Sequence, residues 1–190
     1  MEYLDICDEY GMPTGKIIER STAHREGILH RTAHVWIVRK DRNGMQVLLQ
    51  KRSRNKESFP GMYDTSSAGH IPAGDEPVSS ALRELKEELG ISASENELEF
   101  AGLFRGQYEK CFHGSLFRDN EAVFVYVLKK NVCIGNMKLQ KSEVEEVRWF
   151  DLNEVYEEIQ TDLSRFCVPS GGIELLLDYL KKKNDMDPAL

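Results

Sequence analysis

Three glutamates are crowded into RELKEELG at residues 83–90, where Glu84, Glu87 and Glu88 lie close together. On an α-helix, which turns about 100° per residue, these side chains would form one stripe with neighbouring Cβ atoms about 5 to 6 Å apart. Like charges at that spacing repel one another unless a counter-charge is present. Mg²⁺ can provide it, because it binds carboxylate oxygens and often substrate phosphate oxygens as well. The stretch therefore predicts a cation site on one side of a helix.

The residues around this stretch favour a cation site over a solvated acidic surface. In the alternative, Arg83 and Lys86 would pair with the glutamates on an exposed helix, which is common for isolated charge stripes. The preceding loop contains Gly69 and Gly74, whose backbone freedom could let a carbonyl group approach the same ion. Gly90 is the expected C′ residue that ends the helix.

The elements that would position these residues follow from hydrophobic periodicity. The central helix is predicted to bury one apolar face, formed by Val78, Ala81, Leu82, Leu85 and Leu89. Strand character is found at residues 33–40, 45–53, 98–109, 121–130 and 144–152. Asn43-Gly44 is a hairpin signal between the first two of these strands.

Two further helices are expected after the last strand. One covers residues 153–166 with Asn153 as its N-cap, and the other covers about residues 172–183. This order of elements predicts an α/β (α+β) sandwich with a mixed β-sheet. We expect a single domain over residues 1–190, a length that can bury a substantial core.

Composition narrows the class of partner. The formal charge of −7 disfavours binding to a nucleic-acid polymer or an anionic membrane, because such binding needs a basic patch. The first residues lack the apolar segment of a signal peptide. The 4 cysteines are too widely spaced for a zinc site or a C-x-x-C pair. We therefore expect a cytoplasmic protein with reduced thiols.

The segment from Gly69 to Ile91 resembles the Nudix box, G-x(5)-E-x(7)-R-E-U-x-E-E-x-G-U, where U is aliphatic. One position departs, since Asp75 stands where the pattern has Glu. The resemblance implies a Nudix-type α/β/α sandwich and hydrolysis of a small diphosphate, such as a nucleoside diphosphate linked to another group. It also implies Mg²⁺ or Mn²⁺ as the cofactor.

The resemblance also implies roles for residues of the box. The metal ligands would be Glu84, Glu87, Glu88 and the Gly69 carbonyl, and Arg83 would orient a carboxylate through a charge-assisted hydrogen bond. Glu84, Glu88 and Arg83 are thus the expected catalytic residues. The general base stays open, because it could be Glu84 or one of four other carboxylates, namely Glu121, Glu143, Glu145 and Glu146.

Segments outside the box resemble a Nudix subgroup related to type 1 isopentenyl diphosphate isomerase, through AHREGILHRTAHVWIV, LLQKRSRNKESFPGMYDTSSAGH and FRDNEAVFVY. In that isomerase, three histidines and two acidic residues bind a divalent metal. The matching residues here are His24, His30, His70, Asp119 and Glu121. Such a second site would suit Zn²⁺ or Mn²⁺. In the alternative, the histidines only hydrogen-bond to the backbone, and His34 is only a strand residue.

Two replacements argue against isomerisation. Ala68 stands where the isomerase has its catalytic cysteine. The shielding tryptophan of the isomerase falls near Ser170 of this chain, in a looser alignment. The isomerase also lacks the full R-E-U-x-E-E set, which this sequence contains. We therefore rank a diphosphate hydrolase first, an isomerase-like enzyme second and a catalytically silent nucleotide-binding module third.

Substrate contacts are expected from two groups of residues. The basic cluster of Lys51, Arg52, Arg54 and Lys56 is either a clamp for substrate phosphates or the solvated end of a hairpin. Four aromatic residues could stack on a base or simply pack in the core, namely Phe59, Tyr63, Phe104 and Tyr108. The oligomeric state is left open, with a homodimer as one option.

Overall fold

The computed structural model describes residues 1–42 and 44–186, with side chains up to residue 183. Its strands are β1 (Tyr3–Cys7), β2 (Pro13–Glu19), β3 (His30–Asp41), β4 (Gly44–Arg52), β5 (Tyr63–Asp64), β6 (Ser67–His70), β7 (Glu99–Phe112), β8 (Ser115–Lys129) and β9 (Val144–Asp151). Its helices are α1 (Arg20–Glu26), α2 (Pro77–Leu89), α3 (Leu152–Thr161) and α4 (Ser170–Met186).

The strands form one mixed, open sheet around β3. This strand pairs in parallel with β8 over nine residues, from His30 to Val38, and antiparallel with β1, β4 and β6. Strand β4 continues the sheet to β5 and β9, and the long β7 pairs antiparallel with β8. The predicted mixed sheet is confirmed, and β3 is the strand from which most of the site is built.

Helices cover both faces of this sheet, as predicted for a sandwich. Side chains alternate along a strand, so Val35 and Ile37 of β3 face α2, where they pack with Leu85. Trp36 and Val38 face the other side and pack in a cluster that includes α3 and α4 residues, among them Val155, Ile159, Ile173 and Leu176. Burial of both apolar faces holds the helices on the sheet.

Helix α2 has the C-terminal end and the buried face that its sequence predicts. Pro77 occupies the first turn, where its missing N–H costs nothing. Ala81, Leu85 and Leu89 are fully buried. Gly90 follows with φ of 68°, and its N–H caps the last turn, which confirms the expected C′ glycine.

Four details differ from the sequence prediction or lie outside the described chain. Helix α3 ends at Thr161, before the predicted end at residue 166. The N-cap of α3 is Asp151, not Asn153, because the Asp151 carboxylate accepts from the backbone N–H groups of residues 153 and 154. Helix α4 begins at Ser170 and continues to Met186, beyond the predicted range of 172–183. The β3–β4 hairpin pairs Asp41 with Gly44, while Asn43 and residues 187–190 lie outside the described residues.

Across residues 1–42 and 44–186, no helix combines the length and apolar character that crossing a bilayer requires.

Candidate active site

A cavity of about 720 Å³ lies beside β6. Two groups of residues line it: the glutamates of α2, and a histidine and carboxylate cluster that includes His24, His70, Asp119 and Glu121. Strand β6 divides the two groups because its side chains alternate. Ser67 and Gly69 face α2 and its glutamates. His70 faces the histidine and carboxylate cluster on the other side. The chain thus brings the two predicted metal sites to opposite sides of one short strand.

Glu88 is the most deeply buried of the three glutamates, with only 4% of its surface exposed. Three donors converge on its Oε2 atom: the Ser67 hydroxyl at 2.7 Å, the Ala68 N–H at 3.2 Å and the Gln50 amide at 3.2 Å. Burial nevertheless raises the pKa of Glu88 to about 8, with a further contribution from Glu84. The carboxyl group is held rigidly, and Oε1 is the oxygen that it can offer to a cation.

Glu84 packs directly against the backbone of Gly69. A Cβ atom at position 69 would overlap the Glu84 carboxyl group, so the close approach requires glycine. Burial also raises the pKa of Glu84, and Arg83 opposes that rise. Glu87 is different, because 53% of its side chain is exposed.

Arg83 links the glutamates to β6. Its Nη1 lies 2.7 Å from Oε1 of Glu84 and 3.2 Å from Oε2 of Glu87. Its Nη2 donates to the backbone carbonyl of His70 at 3.2 Å. This geometry lets Arg83 hold both carboxylates relative to the strand, which is the role that the resemblance implies.

The loop between β6 and α2 is held by an N-terminal residue that sequence reasoning missed. Asp5 of β1 pairs with Arg31 of β3 at 2.6 Å, and both side chains are at least 90% buried. Asp5 also accepts from the N–H of Gly74, while Arg31 donates to the carbonyl of Asp75. We call the pair of Asp5 and Arg31 the Asp5–Arg31 clamp. It contacts Asp75 through the backbone carbonyl, an atom that is the same whether residue 75 is Asp or Glu.

The second cluster contains all five residues that the isomerase resemblance predicts. Ligand atoms of His24, His30 and His70 lie within 4.8 Å of one another, and so do those of His30, Asp119 and Glu121. The closest contacts are 3.2 Å between the Nε2 atoms of His24 and His70 and 3.7 Å from His24 Nε2 to Asp119. Residues from α1, β3, β6 and β8 thus meet at one point.

The histidines of this cluster have the protonation state of metal ligands. His30 Nδ1 contacts the Ile28 carbonyl at 2.8 Å, so it carries the proton and leaves the lone pair on Nε2. Burial lowers the pKa values of His30 and His70 and lowers that of His24 to about 3. Burial raises the pKa of Asp119 to about 6, and it also raises the pKa of Glu121 well above its usual value. The imidazoles are therefore neutral at pH 7.

Both groups fit divalent cations by their donor atoms. Around Gly69, the donors are carboxylate and carbonyl oxygens, which suit Mg²⁺ or Mn²⁺. In the second cluster, His30 Nε2 and Asp119 Oδ1 are buried and have no hydrogen-bond partner among the residues described. Imidazole nitrogens with carboxylates suit Zn²⁺ or Mn²⁺.

The predicted basic cluster divides into two pairs. Arg52 and Lys56 line the cavity. Arg52 is held by Ser58 and by Asp64 at 3.0 Å, and Lys56 pairs with Glu143. The structure does not bring Lys51 and Arg54 to the cavity wall. They lie near Glu145 instead, and Arg54 is largely exposed.

The remaining candidates divide in a similar way. Among the possible bases, Glu121 and Glu143 line the cavity, whereas Glu145 and Glu146 lie beside Lys51. Among the aromatic residues, Phe59 and Tyr108 line the cavity, whereas Tyr63 and Phe104 pack against the α3–α4 core. Ala68 also lines it, and Ser170 begins α4.

A family model described as NUDIX domain matches residues 29–167, which include every element of the site except β1, β2 and α1. The chain belongs to the Nudix hydrolase family. Two curated relatives and one solved structure illustrate its place there. An uncharacterised Nudix hydrolase of Clostridium acetobutylicum is 32% identical over 192 residues, covering 98% of this chain and 90% of the relative.

The resemblance to isopentenyl diphosphate isomerase is also found among the similar proteins. An isopentenyl-diphosphate Delta-isomerase of Cereibacter sphaeroides is 28% identical over 150 residues, which are 78% of each chain. A Deinococcus radiodurans crystal structure superimposes with a TM-score of 0.64 at 19% identity, covering 85% of this chain and 90% of that one. These matches confirm the predicted family, Nudix fold and hydrolase class.

Sequence reasoning missed several residues of this Nudix cavity, among them two buried titratable ones. His34 and Asp64 line it, and each is at least 92% buried. The signal available for His34 was its position in β3, two and four residues from Thr32 and His30 on the same face. Asp64 carried no comparable signal, because it lies in a two-residue strand after a long loop.

Proposed function

We propose that this Nudix enzyme hydrolyses the diphosphate linkage of a small organic diphosphate, such as a nucleoside diphosphate derivative. Glu84, Glu87, Glu88 and the Gly69 carbonyl would hold Mg²⁺ or Mn²⁺. The observation that carries the proposal is the fixed position of the Glu88 carboxyl group, whose Oε2 accepts three hydrogen bonds inside the cavity. Glutamates on a solvated helix surface would not need hydrogen bonds that fix one carboxyl group in place.

The chain's own residues have distinct tasks in this scheme. A bound divalent cation would neutralise the diphosphate and polarise the attacked phosphorus. Arg83 keeps Glu84 and Glu87 in position through its bonds to both. Lys56 and Arg52 lie on the cavity wall, where they can face substrate phosphates. Three of the carboxylates proposed as the general base line this cavity, namely Glu84, Glu121 and Glu143.

The test is a panel of diphosphates assayed with Mg²⁺ or Mn²⁺ for released phosphate species. The panel contains nucleoside di- and triphosphates, nucleotide sugars, dinucleoside polyphosphates and isopentenyl diphosphate. Absence of metal-dependent release from the whole panel would contradict the proposal.

Glu88→Gln tests the site itself. The exchange keeps the shape of the side chain but removes its charge, so turnover should fall by about 10²-fold or more while the fold is retained. Glu95→Gln is the matched control, because Glu95 is exposed and is not one of the residues that line the cavity. Wild-type turnover of Glu88→Gln at saturating Mg²⁺ would remove α2 from the mechanism.

A second candidate function is an isomerase-like reaction, which the five-residue cluster favours. His24, His30, His70, Asp119 and Glu121 would hold a Zn²⁺ or Mn²⁺ ion. Ala68 opposes this function, because a methyl group can neither donate nor accept the proton that the isomerase cysteine handles. Conversion of isopentenyl diphosphate to its allylic isomer, followed by NMR, would decide for the second candidate.

The second metal site can be tested apart from either reaction. Purified protein should contain about one transition-metal ion per chain, and His30→Gln with Asp119→Asn should remove it. His113→Gln is the control, since His113 lies in the β7–β8 turn. Metal-free wild-type protein that fails to take up Zn²⁺ or Mn²⁺ would contradict the site.

The proposal also includes a small molecule as the substrate and the cytoplasm as the location of the protein.

A further inference from the structure

His34 is a buried polar residue on the cavity wall that neither metal site uses. Side chains alternate along β3, so His34 faces the same side of the sheet as Thr32. It lies opposite Ala68 in the β3–β6 ladder. Only 7% of its surface is exposed, and the ring lines the cavity together with Thr32 and Asp64.

One ring nitrogen of His34 makes no hydrogen bond to the fold over the residues described. Its Nδ1 atom is buried and has no partner in the described part of the chain. Phe104 provides only an edge contact, with ring centroids 6.4 Å apart and planes at 77°. Buried polar atoms are nearly always paired in native proteins, because an unpaired one loses its bond to water without compensation. An unpaired imidazole on a cavity wall therefore points to a partner that enters the cavity.

The surroundings of His34 determine what kind of partner fits. Burial lowers its pKa to about 4, and nearby Asp64 opposes this only in part. The imidazole is thus neutral at pH 7, with one N–H donor and one ring acceptor. Asp64 is itself paired, with Arg52 Nη1 at 3.0 Å and the Thr65 N–H at 2.8 Å. Next to His34 the positive charge of Arg52 is thus offset by Asp64, so an uncharged group is the better match for the imidazole at this point of the wall.

We propose that His34 hydrogen-bonds to an uncharged polar group, such as a hydroxyl or an amide, on the organic part of the diphosphate substrate. This inference rests on the proposed hydrolase function and names the substrate class. Nucleoside and sugar diphosphates can supply such a group. A prenyl diphosphate cannot, because its hydrocarbon chain leaves the imidazole unpaired. His34 is therefore a specificity-determining residue that separates polar from hydrocarbon diphosphates.

The kinetic test compares three substitutions on ADP-ribose and isopentenyl diphosphate. His34→Phe keeps an aromatic ring but removes both nitrogens, so kcat/KM for ADP-ribose should fall about 10- to 100-fold, mainly through KM. Any turnover of isopentenyl diphosphate should stay within about threefold. His34→Asn places an amide near Nδ1 and His34→Gln places one near Nε2, so at least one of them should recover part of the loss.

Two kinetic outcomes would overturn the proposal. In one, His34→Phe leaves kcat/KM for ADP-ribose unchanged. In the other, it lowers both substrates equally with no recovery in the amide variants, which is what a purely structural role predicts. Thermal unfolding of each variant shows whether the fold is retained.

A binding experiment on the wild-type protein separates this proposal from the hydrolase function. Histidine side chains are labelled with ¹⁵N, and ADP-ribose or isopentenyl diphosphate is added without turnover metal. ADP-ribose should shift a ring nitrogen of His34, and isopentenyl diphosphate should not. A shift without hydrolysis of any panel compound would defeat the hydrolase function and keep the recognition role. Equal effects of the two compounds, or none from ADP-ribose at millimolar concentration, would overturn the role of His34.

Discussion

Glu88 meets two demands that conflict in the absence of a cation. Its three hydrogen bonds fix the carboxyl group at one position, which favours a defined ligand geometry. Its burial makes the charged form costly, so its pKa rises to about 8. A cation next to Oε1 would relieve that cost, because an opposite charge favours the ionised form. These two properties support the proposal that Glu88 is a metal ligand.

Gly69→Ala tests the close contact between β6 and α2. The added methyl group would overlap the Glu84 carboxyl, so Glu84 must move, and both turnover and metal affinity should fall by about tenfold or more. Metal titration and steady-state kinetics measure the two effects. Gly135→Ala is the control, because a Cβ there would meet only Cys133 Sγ at 3.9 Å. Normal metal affinity in Gly69→Ala would show that Glu84 is not a ligand in its present position.

The N-terminal hairpin is part of the site although it precedes the family match. Strand β1 brings Asp5 to Arg31, and this pair binds the backbone at Gly74 and Asp75. Those two residues lie in the loop that leads into α2. The start of α2 is thus held by a strand that lies 69 residues earlier in the chain, counted from Asp5 to Gly74.

Asp5→Ala should destabilise the protein and displace this loop. Removing one partner leaves the Arg31 charge buried and unpaired, which typically costs about 3 to 5 kcal/mol. Urea unfolding measures the loss, and hydrogen exchange at the Gly74 N–H reports the loop directly. Glu9→Ala, at an exposed position in the same hairpin, should leave both unchanged. A loss below about 1 kcal/mol for Asp5→Ala would mean that the clamp contributes little.

Stability of the whole protein should depend on pH through Glu88. Burial raises its pKa in the folded state from 4.5 to about 8. Between these values the folded protein keeps a proton that the unfolded chain has released. The free energy of unfolding should therefore fall as the pH rises through this window, by at most about 1.4 kcal/mol per pH unit.

Urea unfolding of metal-free protein at pH 5, 6.5 and 8 measures this dependence. Other buried groups also titrate, so the comparison is with Glu88→Gln, which should lose the decline that Glu88 causes. Added Mg²⁺ should restore wild-type stability at pH 8, because a ligand of the folded state stabilises it. Parallel pH profiles for the two proteins would contradict the assignment to Glu88.

The extent to which the sequence predicts this molecule depends on how local each signal is. Apolar residues three and four positions apart predict helix α2, and a single glycine, Gly90, predicts its end. The structure confirms both. The α3 cap was misplaced because Asp151 ends β9 and caps the helix at the same time. The Asp5–Arg31 clamp and the cavity position of Asp64 depend on contacts between distant segments. No periodic pattern within one element reports such contacts.

Strand β6 has four residues, and consecutive residues of it serve different chemistry. Gly69 admits Glu84 on one side, while His70 points to the histidines on the other and offers its carbonyl to Arg83. A one-residue insertion just before Gly69 would turn both Gly69 and His70 to the opposite side of the sheet. Such an insertion would therefore disturb the contact with Glu84 and the histidine cluster at the same time, whereas a substitution in α2 or α1 can change either one alone.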